Sequence, residues 1–87
     1  MKDLKEARLI LDGIDTKMKE LFLQRMSVVK EIAVYKKENG LAVYDPSREA
    51  AMKERLAADL DGEEKEDYLA FLEAILTVSK GAQKRLL

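Results

Sequence analysis

An all-α chain of three helices, the first much the longest, is what this sequence predicts, on three observations. Residues 4–39 contain no proline, and apolar side chains recur every three or four places along them. Asn39-Gly40 and Leu60-Asp61-Gly62 interrupt the helical pattern, and Asp45-Pro46 restarts it between them. Nowhere is there a strand-length alternation of apolar and polar residues, an internal repeat or a low-complexity tract. The 87 residues read as a single domain, 1–87, with no internal boundary.

The first helix, Leu4 to Asn39, carries a seven-residue repeat with core places at Leu4, Ala7, Leu11, Ile14 and Met18, continuing through Leu21, Arg25, Val28, Ile32 and Tyr35. Arg25 is the exception in that stripe. A guanidinium stays charged in a protein, and burying it without an anion costs on the order of 3 to 5 kcal/mol. Arg25 therefore demands a partner. Gly13 costs ~1 kcal/mol against alanine, but the stripe continues in phase through Ile14 and Met18, so the helix is expected to run on. A rod of about 36 residues is ~54 Å long, whereas a compact chain of this size has a radius of gyration near ~12 Å. A second chain is expected to cover it.

Asn39-Gly40 ends the first helix in a left-handed turn, and Leu41 to Tyr44 is a short extended connector. Asp45 caps the second helix and Pro46 occupies its first position, so that helix is predicted from Pro46 to about Asp59. Arg48 in its first turn sets a cation against the helix dipole, and Glu49 heads the ridge Met52, Leu56, Leu60. Such local conflicts collect at functional sites. The third helix opens acidic at Glu63, Glu64 and Glu66 and closes basic at Lys80, Lys84 and Arg85. Ser79 and Gln83 follow Leu69, Leu72 and Leu76 on its inner ridge, so two polar groups extend an apolar face.

Composition narrows the chemistry. There is no cysteine, hence no disulfide, and no histidine, so the usual zinc and blue-copper ligand sets are missing. Metal catalysis is not expected, and acid–base work would fall to carboxylates, lysine or tyrosine. The 16 basic and 17 acidic residues leave a net charge of −1 and are mixed along the chain, so no bulk attraction to nucleic acid or an anionic membrane is indicated. Met1 to Glu6 has no apolar core of a signal peptide, and no run approaches the ~18 apolar residues of a membrane span. A cytoplasmic location is expected.

Arg25 and Lys36 are eleven residues apart, three turns to within about 20°, so both project from one side of the first helix with Cα atoms ~16 Å apart. Arg8 lies ~25 Å from Arg25 and cannot join it around one small ligand within a molecule, though in an antiparallel partner it can. Singly, each polar residue has a bland reading. Arg25 would be a specificity device or a snorkelling side chain, Lys36 a solvated helix-end cation and Asp45 a cap. Arg48 and Glu49 would be a weak surface pair, and Ser79 and Gln83 satisfied groups in a bundle.

Taken in order, Arg8, Arg25, Lys36, Asp45-x-x-Arg48-Glu49 and Ser79-x-x-x-Gln83 resemble the pattern of the all-helical chorismate mutases, from about Leu4 to Gln83. The resemblance implies an intertwined, domain-swapped homodimer of three-helix chains with two active sites, each borrowing one arginine from the other subunit. Arg8 stands at that position. It also implies a Claisen rearrangement of chorismate to prephenate without cofactor, in the biosynthesis of phenylalanine and tyrosine. Arg25, with Arg8 of the other chain, would grip the two carboxylates, Lys36 and Gln83 would donate to the ether oxygen, and Glu49 would accept from the ring hydroxyl. Asp45, through its backbone, and Ser79 would line the pocket, while Arg48 would contact substrate or orient Glu49. The chain departs from the family's pattern at Met26, where a second basic residue often follows the clamp arginine, and at Gly13.

Two rivals stand beside this reading. Isochorismate pyruvate-lyase activity occurs on the same fold with a similar cationic pocket. A non-catalytic helical dimer, serving as adaptor or regulatory module, is the alternative from another class. Docking to, or fusion with, another enzyme of the aromatic pathway stays open.

Overall fold

Asp3 stands one residue before the first helical turn, and its carboxylate accepts from the backbone N–H of Glu6 at 2.8 Å. That cap starts α1, Leu4–Glu38, in the computed structural model, which describes residues 3–86. Residues 1, 2 and 87 of the single domain expected over 1–87, and with them the start of the charged Met1–Glu6 segment, lie outside the described residues. α1 ends where the sequence predicts. Asn39 is its C-cap, Gly40 adopts φ 63°, and the N–H groups of Leu41 and Gly40 return to the carbonyls of Lys36 and Lys37 at 2.8 and 3.4 Å. This is a Schellman turn, which needs the left-handed conformation that glycine adopts without strain.

α2 spans Pro46–Ala57, with the Asp45 carboxylate accepting from the N–H of Arg48 at 3.0 Å. It stops two residues before Asp59, because the N–H of Leu60 bonds to the carbonyl of Ala57 at 3.1 Å and closes a turn there. α3 spans Gly62–Leu86 and starts one residue earlier than its acidic run, on Gly62 at φ 57°. All three elements are helical, and no strand occurs among the described residues.

α3 is the element against which both others pack. Met52 of α2 with Leu72 and Leu76 of α3 form the buried cluster, and Leu56, Tyr68 and Leu69 close around it. α1 meets α3 through Val29 and Ala33, both buried. Neither belongs to the seven-residue stripe: Val28 and Ile32, the stripe residues beside them, are 52% and 42% exposed. Apart from half-buried Ala7 and Arg25, the stripe is therefore left exposed within the chain, and the sequence carries two apolar faces on one helix.

From Leu4 to Gln24 only Ala7 is even half-buried. The molecule measures 54 × 27 × 15 Å with a radius of gyration of 16.2 Å, against ~12 Å for a compact chain of this length. It exposes 7013 Å², where a compact monomer of this size exposes about 5,200 Å². No helix among the described residues is long and apolar enough to cross a membrane.

Candidate active site

Where the second half of α1, the connector, the first turn of α2 and the last turns of α3 converge, they enclose a cleft of about 270 Å³. Its apolar wall includes Val29, Ile32, Met52 and Leu76. Seven of the eight polar residues singled out from the sequence line it: Arg25 and Lys36 from α1, Asp45, Arg48 and Glu49 at the start of α2, and Ser79 and Gln83 from α3.

Each is held by a local cause. Arg25 is half-buried, not enclosed, so its desolvation is milder than its stripe position implies, and its guanidinium donates to Ser79 Oγ. Ser79, 4% exposed, donates its own hydroxyl to the carbonyl of Ile75 at 2.8 Å, which orients Oγ toward Arg25. Lys36 Nζ donates to the carbonyl of Val43 at 2.9 Å and ties the connector down across the end of α1. Asp45 is committed to the cap. Arg48 is exposed at the rim, while Glu49 turns inward.

Gln83 is the anomaly. It is 7% exposed, and its Oε1 is buried with no hydrogen-bond partner among the described residues. A buried unsatisfied amide oxygen costs about 1–3 kcal/mol, and this one belongs to a side chain that lines the cationic cleft.

Lys80 was not among the sequence candidates, yet it lines the cleft too. Its Nζ lies 3.1 and 3.3 Å from the two carboxylate oxygens of Glu49, and 4.6 Å from the centroid of the Tyr44 ring. In the sequence it merges with the basic end of α3. Its spacing held the available signal: four residues after Leu76 and three before Gln83, it shares their face.

Four cations (Arg25, Lys36, Arg48 and Lys80) against two carboxylates (Asp45 and Glu49) give the cleft a formal charge of +2. It suits a small dianion with an apolar body. Arg8 is absent from it, lying exposed on the bare half of α1. No cluster of side chains able to hold a metal ion occurs among the described residues.

Comparison with known proteins agrees with the residue pattern. The chain is 36% identical over 64 residues to the T-protein of Haemophilus influenzae (strain ATCC 51907 / DSM 11121 / KW20 / Rd), a match covering 71% of this chain and 17% of that much longer protein. The family description chorismate mutase type II matches residues 7–84. Matched from the first helix to the last turns of the third, the chain belongs to the chorismate mutase type II family.

Proposed function

We propose that two of these chains form an intertwined, domain-swapped dimer that rearranges chorismate to prephenate in phenylalanine and tyrosine biosynthesis. The observation that carries this reading is the convergence of seven polar residues, far apart in sequence, on one cleft of net charge +2. The eighth, Arg8, stands on the exposed half of α1.

The reaction breaks the enolpyruvyl carbon–oxygen bond as a carbon–carbon bond forms, with no proton transfer and no covalent intermediate. The protein has to hold a flexible dianion folded and to meet charge developing on the ether oxygen. Arg25 would clamp one carboxylate in a fork of charge-assisted hydrogen bonds, its position fixed in advance by Ser79. Arg8 of the partner subunit would hold the other. Lys36 and Gln83 would donate to the ether oxygen, Gln83 through its amide N–H, and both side chains line the cleft. Glu49 would accept from the ring hydroxyl, Arg48 would contact substrate or orient Glu49, and Asp45 and Ser79 would line the cleft.

The area of the chain supports the dimer. Its excess over a compact monomer is ~1,800 Å² per chain, or ~3,600 Å² for a pair, within the range of obligate dimer interfaces. Apart from the cleft, Met18, Leu21, Phe22, Phe71 and Ile75 line an apolar groove of about 560 Å³ between α1 and α3, fit for a partner's helix. A cytoplasmic location suits such an enzyme. A match confined to 17% of a longer relative also supports fusion with, or docking to, another enzyme of the aromatic pathway.

The test is loss of chorismate absorbance with prephenate identified as product. A parallel assay with isochorismate, reading pyruvate release, separates the mutase from the lyase. A properly dimeric sample inert toward both compounds would leave a non-catalytic helical dimer.

A further inference from the structure

Lys80 is the cation of the cleft for which the roles above have no use. Its ammonium sits within 3.3 Å of both Glu49 oxygens, with the Tyr44 ring 4.6 Å from Nζ. The side chains of Lys80 and Glu49 are only 23% and 14% exposed. The pair is thus part of the cleft wall and not a mobile surface contact.

A carboxylate alone in a cleft binds an ammonium more strongly than a neutral hydroxyl, because the charge adds to the hydrogen bond. By itself Glu49 would favour a ligand with an amine where chorismate carries its ring hydroxyl. Lys80 changes the sign of that preference. With the Glu49 charge already met, a second ammonium bonded to the same carboxylate would come within ~4–6 Å of the first in a half-buried site, where like charges repel strongly. A hydroxyl carries no charge, donates its proton to a free Glu49 lone pair, and offers its oxygen to a Lys80 N–H.

We propose that Lys80 is a specificity-determining residue, which makes the Glu49 end of the cleft accept a neutral hydroxyl and reject an ammonium in the same place. This rests on the reading of the cleft as the chorismate site. It extends that reading to a residue outside the eight-position pattern.

The test measures KM and kcat for chorismate, and the inhibition constant of the analogue whose ring hydroxyl is replaced by an amine, for the wild type, Lys80→Met, Lys80→Gln and Lys80→Arg. In Lys80→Met and Lys80→Gln the ratio of the amine's inhibition constant to the KM for chorismate should fall about tenfold or more, from loss of one close like charge. Lys80→Arg should restore it. Having two neutral variants keeps the test decisive if one fails to fold. Ratios within twofold of the wild type in folded neutral variants would overturn the proposal while leaving the mutase reading intact, as would Lys80→Arg behaving like Lys80→Met. A wild-type dimer that does not convert chorismate would remove the reading itself, and this proposal with it.

Discussion

A half-buried guanidinium and a buried, unsatisfied amide are both costs to the fold, and they test the site from opposite directions. Arg25 donates to Ser79, whose hydroxyl keeps its own bond to the carbonyl of Ile75, so Arg25→Ala strands no buried donor. We expect this variant to stay dimeric while its kcat/KM for chorismate falls by about 10²–10³ or more, the usual effect of losing one charge-stabilising donor. Near-normal turnover would exclude Arg25 as the clamp. Gln83 separates function from stability more sharply. Its Oε1 has no partner, so Gln83→Leu, apolar and of similar bulk, should raise the melting temperature or leave it unchanged. Turnover should fall by about 10²–10³. A lower melting temperature with activity kept would make Gln83 an ordinary structural residue.

Between helices, the exposed pair Lys53 on α2 and Glu73 on α3, 2.6 Å apart, is a small pH-dependent link. The hydrogen bond between them raises Lys53 above the ordinary lysine value of 10.5 and lowers Glu73 below the ordinary glutamate value of 4.5. The link is therefore complete between about pH 5 and 10, weakens as acid carries the solution through the lowered Glu73 value, and weakens again as base passes the raised Lys53 value. Glu73→Gln should lower the melting temperature slightly at pH 7 and by less at pH 3; an equal loss at both would assign the effect to packing. Within α1, a methyl built at Gly13 meets nothing within 4 Å beyond its chain neighbours and the helix's own adjoining backbone, and its place in the repeat is off the apolar stripe. Gly13→Ala should therefore stabilise each chain by ~1 kcal/mol, raising the melting temperature by about 4–8 °C. The caps, the glycine stop and the order of the three helices were legible in the sequence because they depend on near neighbours. The face of α1 that packs inside the chain, Val29 and Ala33, was not, because the stronger stripe from Leu4 to Tyr35 points elsewhere. Lys80 was missed for a related reason: Glu49 lies 31 residues away on another helix, and only packing brings the two together.

For the whole molecule, the proposed exchange of Arg8 makes a quantitative forecast that no single-chain site shares. Arg8 is exposed on α1, 17 residues and ~25 Å of helix before Arg25, too far to reach the cleft of its own chain. In a two-fold dimer of crossed helices each cleft would take Arg25 from one chain and Arg8 from the other. Arg8→Ala and Arg25→Ala homodimers should each be nearly inactive. Mixed after unfolding and refolding in equal amounts, half of the dimers would be hybrids, and each hybrid would assemble one intact site and one site lacking both arginines. Activity should therefore return to roughly a quarter of the wild-type value per chain, given random pairing in a symmetric dimer. Native mass spectrometry of the mixture verifies the exchange. Recovery should vanish if both substitutions are placed on the same chain and mixed with itself, whereas mixing that double variant with wild-type chains should leave hybrids in which every site lacks one arginine. No recovery from the first mixture, with hybrids present in the expected proportion, would mean that Arg8 does not cross between the chains.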